Sequence, residues 1–224
     1  MVVETNRTPW GRRDQFDRRD LLRLLVAAAA GLAGAAAAPA WAAAPQAASD
    51  PKSFIDNLGT TVLDIIRSPN LSQAQRRDRF RELFSNNFDV PTIGRFVVGR
   101  YWNRASPDDQ KKYLDTFRNY VAAIYADQFS HYQGEGFKTG AERSLGGGES
   151  VVSAQIERPN QPPISVQFRV KGSPGSFKID DVTVENVSLI ITKRDEFSSI
   201  LERSGLKGVT DRMQAALKTP NAGM

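Results

Sequence analysis

The chain has 224 residues, of which 30 are lysine or arginine and 25 are aspartate or glutamate, so its formal net charge is +5. It contains no cysteine, which excludes disulfides, thiolate metal ligands and a thiol nucleophile. His131 is the one histidine, so a Ser-His-Asp triad or a two-histidine metal site would have to depend on it alone. We interpret it as a structural residue near the end of a long helix, where the helix dipole favours an imidazolium.

Residues 1–42 have the three parts of a secretory signal peptide. A polar segment with six arginines precedes an uncharged, alanine-rich run over 24–44, which contains the pattern Ala40-Trp41-Ala42 that signal peptidase accepts. We predict cleavage after Ala42, a linker over 43–50, a single domain over 51–218 and a tail over 219–224. Cleavage would remove six basic and four acidic residues and leave a nearly balanced charge of +3, which suits solubility.

The route of export has more than one interpretation. Arg18-Arg19 stands just before a short apolar step and resembles a twin-arginine signal. The alternative is chance, because basic segments often contain such pairs, and Arg12-Arg13 is another. A second alternative is that the uncharged run stays in the membrane as an anchor, since it is just long enough to span a bilayer.

The first half of the domain has helical periodicity. Apolar residues recur every four positions from Phe54 to Ile66. Ser72 and Gln75 form a capping box for a second helix, and Asp89 is positioned to cap a third. Ser106-Pro107-Asp108-Asp109 combines a cap, a proline at the first helical position and carboxylates facing the dipole. The predicted helices cover about 54–66, 72–84, 89–99 and 106–133.

In the second half the apolar residues alternate every second position, which predicts strands. Alternating segments lie at 152–156, 164–170, 177–184 and 187–191, separated by turns rich in proline and glycine. The alternation slips by one at Glu185-Asn186, where we expect a bulge or bend. Two helices, at about 195–204 and 210–217, end the domain. Helices followed by antiparallel strands, without βαβ alternation, predict the α+β class.

No strong catalytic constellation is present. Gly146–Gly148 lacks the lysine and the following helix of a phosphate loop, so we predict a hairpin loop. Asp108-Asp109 is explained by the helix start. We interpret Asp180-Asp181 as solvated, with a glycosidase or proton-transfer role as the alternative. The arginines within 76–81 are interrupted by Asp78 and indicate a solvated helix face rather than a nucleic-acid site.

Large apolar side chains are the feature that stands out. Eight aromatic residues lie between Phe96 and Phe129, and the predicted sheet has one apolar face. One interpretation is an ordinary hydrophobic core. The other is that a curved sheet and the long helix fail to meet and leave an apolar cavity. Composition does not distinguish the two.

A series of segments resembles the MlaC family, the periplasmic phospholipid-binding or toluene-tolerance proteins of Gram-negative envelopes. The segments keep their order and separations over most of the domain: FDVPTIGRFVVGRYW at 88–102, ASPDDQ at 105–110, FRNY at 117–120, FKIDDV at 177–182, NVSL at 186–189 and TKRDEF at 192–197. Two positions depart from the family pattern, which usually has glycine at Asn186 and often tryptophan at Phe177. Residues 192–201 also resemble a branch associated with hopanoid biosynthesis, which leaves the class of lipid open.

The resemblance implies an NTF2-like α+β fold, in which helices wrap a strongly curved antiparallel sheet and acyl chains occupy an apolar cavity. It implies a periplasmic shuttle that carries phospholipid, or a hopanoid-type lipid, between the inner and outer membranes without a cofactor or catalysis. Its implied partners are an inner-membrane ABC transporter complex and an outer-membrane lipoprotein complex. We expect a monomer that binds no nucleic acid. The alternatives are an NTF2-like periplasmic enzyme and a structural envelope protein without a ligand.

Face and periodicity select the residues for this expected site. The predicted pocket wall consists of Phe96, Val97, Tyr101, Phe117, Tyr120, Ile124, Ile156, Val166, Phe168, Val170 and Leu189. For docking to a partner we select three arginines that follow one another closely, Arg95, Arg100 and Arg104.

Overall fold

The computed structural model describes residues 48–128 and 136–218. The predicted signal peptide with its cleavage site, most of the linker, the tail and His131 lie outside these ranges. The predicted continuation of the long helix to Gln133 also lies outside them.

Four helices form the first half of the described chain. They are α1 (Pro51–Arg67), α2 (Gln73–Asn87), α3 (Val90–Val98) and α4 (Pro107–Gln128), and a 3₁₀ helix (Gly99–Arg104) joins α3 to α4. The capping box of Ser72 and Gln75 is present in both directions, and Asp89 accepts the Thr92 N–H at 3.1 Å. These side chains accept hydrogen bonds from N–H groups that have no partner within the helix at its start.

The end of α1 is held by a side chain from α2. The Arg76 guanidinium donates to the carbonyl oxygens of Ile65 at 3.1 Å, Ile66 at 2.6 Å and Ser68 at 2.8 Å. Its Nε donates to the Leu71 carbonyl at 3.3 Å. We predicted a solvated helix face for this arginine cluster. Arg76 contradicts that prediction, because its side chain closes the connection between α1 and α2.

Five strands form one antiparallel sheet in the order β1-β2-β3-β4-β5. They are β1 (Gly136–Gly146), β2 (Glu149–Arg158), β3 (Gln161–Lys171), β4 (Lys178–Val184) and β5 (Val187–Ser188). Gly147 and Gly148 connect β1 to β2, as the hairpin prediction requires. The apolar positions of β2 and β3 face each other, with Val152 opposite Phe168 and Ile156 opposite Ile164. One face of these strands is therefore buried and the other is wet.

The chain bends at Glu185-Asn186, one of the two outcomes predicted there, and reverses its direction between β4 and β5. Both residues have positive φ, +47° and +66°, the conformation of a two-residue hairpin turn. The predicted strand over 187–191 stops at Ser188, and α5 (Leu189–Lys218) begins. The helix starts here because the Ser188 hydroxyl accepts the Ile191 N–H at 3.3 Å. A break at Gly205, with φ +60°, divides α5 as the two predicted C-terminal helices require.

Asn186 is expected to tolerate replacement by glycine and not by alanine. In the left-handed region a Cβ costs about 1 kcal/mol, and asparagine reduces that cost through local hydrogen bonding. Asn186→Ala should lower the free energy of unfolding by about 1 kcal/mol, measured by urea denaturation. Asn186→Gly should stay within about 0.5 kcal/mol of the unmodified protein. Equal stability of the two variants would contradict a turn that depends on positive φ.

Two of the three hydrophobic clusters in the described core are a helical cluster and a sheet cluster. The helical cluster comprises buried residues of α2, α3, α4 and α5, among them Val97, Tyr113, Phe117, Phe197 and Met213. The sheet cluster joins Ile55 and Leu58 of α1 to the inward faces of β2, β3 and β4. Phe88 packs against both clusters, and the neighbouring Asp89 N–H donates to the Ile179 carbonyl at 2.9 Å.

Candidate functional site

An apolar cavity of about 190 Å³ lies between the helices and the inward face of the sheet. Twenty-five of the described residues line it, and all of these but Asp181 and Lys193 are glycine or apolar. The walls come from α1, α2, α3, α4, four strands and the first turn of α5. A concave apolar site with few polar groups is typical of a pocket for an apolar ligand.

The wall at α1 depends on one glycine. A Cβ on Gly59 would lie 2.4 Å from Cδ1 of Phe137, so only glycine lets β1 approach α1 this closely. The Phe137 ring then meets Phe168 of β3 edge-on, with 6.2 Å between ring centroids. Together, α1, β1 and β3 form one continuous aromatic and aliphatic side of the cavity.

Seven of the eleven predicted wall residues line the cavity. They are Val97, Phe117, Ile124, Ile156, Val166, Phe168 and Leu189. They belong to α3, α4, β2, β3 and the start of α5. These five elements therefore meet around the cavity.

The other four lie away from the cavity wall, in contrast to the prediction. Phe96 is 40% exposed, because neighbouring residues of a helix point about 100° apart and Val97 takes the inward direction. Tyr101 packs against the outside of the helical cluster. Tyr120 points to α5, with its ring centroid 6.3 Å from that of Phe197. Val170 is fully buried in the sheet cluster.

Sequence reasoning missed the contribution of the first two helices. Leu58 and Val62 of α1 line the cavity, as do Phe80, Leu83 and Phe84 of α2. The apolar repeat along α1 is visible in the sequence, but it indicates only a buried face. It does not say whether that face meets a packed core or a cavity, because both require the same periodicity.

Asp181 and Lys193 are the two charged residues that line the cavity in the described part of the chain, and both lie beside the start of α5. The Asp181 carboxylate accepts the Ile190 N–H at 3.5 Å, and Lys193 lies one turn beyond Leu189 on the same face of α5. The Lys193 Nζ lies 2.6 Å from Glu196 Oε2 and 5.7 Å from the centroid of the Tyr120 ring. We name Asp181 and Lys193 the polar end.

The environment of Asp181 corrects the prediction that the aspartate pair is solvated. Both Asp180 and Asp181 are half-buried, and burial raises the pKa of each carboxyl. Hydrogen bonds from Ser188 and from the Ile190 and Val182 N–H groups act in the opposite direction on the pKa of Asp181. The Asp181 carboxylate therefore already accepts hydrogen bonds from groups at the start of α5.

Over residues 48–128 and 136–218, no helix has the length and apolar character needed to cross a membrane. In the described part of the chain, no group of three or more histidine, aspartate or glutamate side chains is placed to hold a metal ion.

A helical layer that closes over an antiparallel sheet, with an apolar cavity between them, defines an α+β protein with an internal apolar pocket. The chain belongs to the MlaC family, because the model described as "MlaC protein" matches residues 56–215. The predicted family is therefore confirmed.

Individual relatives are distant. A toluene tolerance protein, ttg2D, of Pseudomonas putida is 20% identical over 129 residues, which cover 57% of this chain and 60% of that protein. The intermembrane phospholipid transport system binding protein MlaC of Haemophilus influenzae is 23% identical over 131 residues, which cover 57% of this chain and 61% of the relative. The matched region thus spans about three fifths of the length of these relatives.

A solved structure has the same fold. It is the phospholipid-binding protein of Ralstonia solanacearum in complex with a phospholipid, 20% identical in sequence. The TM-score is 0.65, and the match covers 76% of this chain and 99% of that one. The predicted α+β, NTF2-like fold is confirmed by this match and by the helices and five-stranded antiparallel sheet of the structure.

Proposed function

We propose that the mature chain is a periplasmic carrier that binds a phospholipid and moves it between the inner and outer membranes. The observation that carries this proposal is the cavity, because all but two of the 25 described residues in its wall are glycine or apolar. The names of relatives support it, since one is a binding protein of a phospholipid transport system and one was solved with a phospholipid. The acyl chains would occupy the cavity and the headgroup its polar end.

The energetics suit a carrier. Burying one methylene group is worth about 0.8 kcal/mol relative to water, so a sixteen-carbon chain gains roughly 13 kcal/mol. A lipid in a membrane is already out of water, however, and the difference between membrane and cavity is therefore small. A carrier needs this near balance, because it has to load at one membrane and unload at the other.

The direct test is native mass spectrometry with lipid extraction on residues 43–224 purified from a Gram-negative host. One phospholipid for each chain would support the proposal. A hopanoid-type lipid would support a carrier with different cargo. A protein without lipid that also fails to take up added phospholipid would contradict the proposal and favour a structural envelope protein.

We further propose binding without catalysis. An NTF2-like enzyme would need polar groups that converge on a substrate. Of the two charged side chains in the described wall, Asp181 caps α5 and Lys193 pairs with Glu196. The names of the relatives, which refer to tolerance, binding and transport, support the same conclusion.

We also propose where the protein acts and which membrane complexes it contacts. We propose export through the predicted signal peptide, with cleavage after Ala42, and docking to an inner-membrane ABC transporter complex and an outer-membrane lipoprotein complex. The three predicted docking arginines are exposed. Arg95 lies over the Trp102 ring at 5.1 Å, and Arg100 and Arg104 lie over the Tyr101 ring at 5.3 and 5.8 Å. Such stacking holds guanidinium groups at the surface in fixed positions.

Charge reversal at these arginines is expected to weaken docking without changing the fold. Each cation of a complementary interface steers association and orients the partner. The triple variant R95E/R100E/R104E should reduce the affinity for the purified ABC transporter complex by about tenfold or more, measured by biolayer interferometry.

The matched control reverses three arginines at other exposed positions, Arg79, Arg143 and Arg212. It makes the same change in net charge away from the docking surface, so it should bind the transporter nearly as well as the unmodified protein. Equal losses in both triple variants would show an effect of net charge alone and would contradict a specific docking surface.

A further inference from the structure

An exposed surface on α3 and α5 combines apolar side chains with an arginine. Phe96 of α3 is 40% exposed and Ile191 of α5 is 52% exposed. The Arg194 guanidinium lies over the Phe96 ring, 5.2 Å from its centroid, and donates to the Phe96 carbonyl at 3.5 Å. Ile191 and Arg194 are three positions apart on α5, so they are neighbours on one side of that helix. We name Phe96, Ile191 and Arg194 the α3–α5 surface.

The two apolar residues of this surface are not part of the cavity wall. Their chain neighbours Val97 and Ile190 line the cavity. Phe96 and Ile191 point about 100° away from those neighbours around each helix and face water. An exposed apolar cluster rimmed by charged residues is typical of a surface that contacts a partner or a membrane.

The surroundings of the α3–α5 surface are basic. Residues 90–107 contain three arginines, Arg95, Arg100 and Arg104, and no aspartate or glutamate. Like Arg194, each of them is exposed. No carboxylate of the described residues lies within ion-pair distance of these four arginines. The charge of this part of the protein is therefore complementary to an anionic surface.

We propose that the α3–α5 surface binds an anionic bilayer, with Phe96 and Ile191 among the acyl chains and Arg194 at the lipid phosphates. The interface of a bilayer offers these two environments side by side. Tyr101 and Trp102, half-buried on the segment that follows α3, are residue types enriched at that interface. A bilayer fits better than an acidic protein, because the two apolar side chains project from separate helices and a fluid bilayer adapts to them without a matching shape.

The binding is expected to be weak and reversible. Two apolar side chains and a few cations provide a small contact, and salt screens the attraction of the cations. Asp195, the next residue on α5, is exposed and opposes the attraction by its charge. Its replacement by asparagine should therefore strengthen binding. The inference concerns the outside of the protein and does not depend on what the cavity holds.

The test is flotation with vesicles that contain no membrane protein. Purified residues 43–224 are mixed with vesicles of phosphatidylcholine and phosphatidylglycerol, or with vesicles of phosphatidylcholine alone, and the protein that floats is quantified. The anionic vesicles should bind about tenfold more protein, and high salt should remove this difference. Protein saturated with phosphatidylglycerol beforehand should float equally well, because its cavity can take up no further lipid.

Variants separate membrane insertion from a general effect on the surface. The double variant F96S/I191S should float about tenfold less with the anionic vesicles, because both inserted side chains are lost. Its matched control, L145S/L217S, removes apolar side chains that are 41% and 37% exposed elsewhere on the protein, and should float like the unmodified protein. Arg194→Gln should reduce flotation about fivefold, whereas Arg194→Lys keeps the charge and should retain most of it.

Equal flotation of F96S/I191S and the unmodified protein would overturn the inference, as would flotation that occurs only before saturation with lipid. Equal losses in Arg194→Gln and Arg194→Lys would show that Arg194 holds the end of α3, and would overturn its assignment to lipid phosphates. Weaker binding of F96S/I191S to the purified transporter complex, with unchanged flotation, would assign the surface to a protein partner instead. Absence of flotation would leave the proposed carrier standing, since the cavity is tested separately by its lipid content.

Discussion

Replacing Phe168 by aspartate is expected to abolish co-purification of lipid. Phe168 lines the cavity from β3, and its ring packs edge-on against Phe137. A carboxylate at this position would face the acyl chain without a partner, at a cost of several kcal/mol. Lipid content, measured by extraction and mass spectrometry, should therefore fall by about a hundredfold or more.

The control for this variant lies one residue away on the same strand. Gln167 is exposed, because successive side chains of a strand point to opposite faces. Gln167→Asp adds the same charge to the wet face and should leave lipid content unchanged. Ile124→Asp changes the opposite wall, on α4, and should behave like Phe168→Asp. Unchanged lipid in folded Phe168→Asp protein would refute the placement of the acyl chains.

An uncharged variant covers the case in which Phe168→Asp fails to fold. Ala122 of α4 is buried and lines the cavity. Ala122→Phe would place an apolar ring in the space that the ligand needs, without burying a charge. It should keep or raise the melting temperature, since filling a cavity commonly stabilises a protein, while lipid content falls. Full lipid content in this variant would count against the cavity as the binding site.

The fold could be predicted where one periodicity dominates a segment. The helical repeat of α1 and the alternation of β3 are both strong because each element buries one face only. By contrast, β1 is exposed along most of its length, so it carries no alternation and was not predicted. At the start of α5 the sequence predicts a strand, because Val187, Leu189 and Ile191 alternate. Contacts from Asp181 and Ser188 set the helix start instead.

The cavity could be predicted only in part, for a similar reason. Periodicity indicates which face of an element is buried, and seven of the predicted residues line the cavity on that basis. Whether two buried faces touch or leave space depends on tertiary geometry, such as the close approach of Phe137 to Gly59. The polar end is even harder to predict from the sequence, because Lys193 and Asp181 look like ordinary charged residues until their burial and the position of the cavity are known.

A second large effect is expected at Arg76, where sequence reasoning had no signal for a structural role. The last carbonyl groups of a helix have no partner within the helix. The Arg76 guanidinium donates to Ile65, Ile66 and Ser68 at this end of α1, and to Leu71 in the loop that follows. Arg76→Met keeps the aliphatic part of the side chain and removes all of these donors.

The expected cost of Arg76→Met is about 2–3 kcal/mol in the free energy of unfolding, the effect of losing charge-assisted hydrogen bonds to partly buried acceptors. Arg76→Lys should recover only part of this loss, because a single ammonium cannot reproduce the planar fork that reaches several carbonyl groups. The control is Arg79→Met on the exposed side of α2, which should stay within about 0.5 kcal/mol of the unmodified protein. Equal unfolding curves for Arg76→Met and Arg79→Met in urea would contradict this role. They would show that water satisfies these carbonyl groups as well as Arg76 does. The end of α1 at Arg67 would then be set by the sequence of α1 itself.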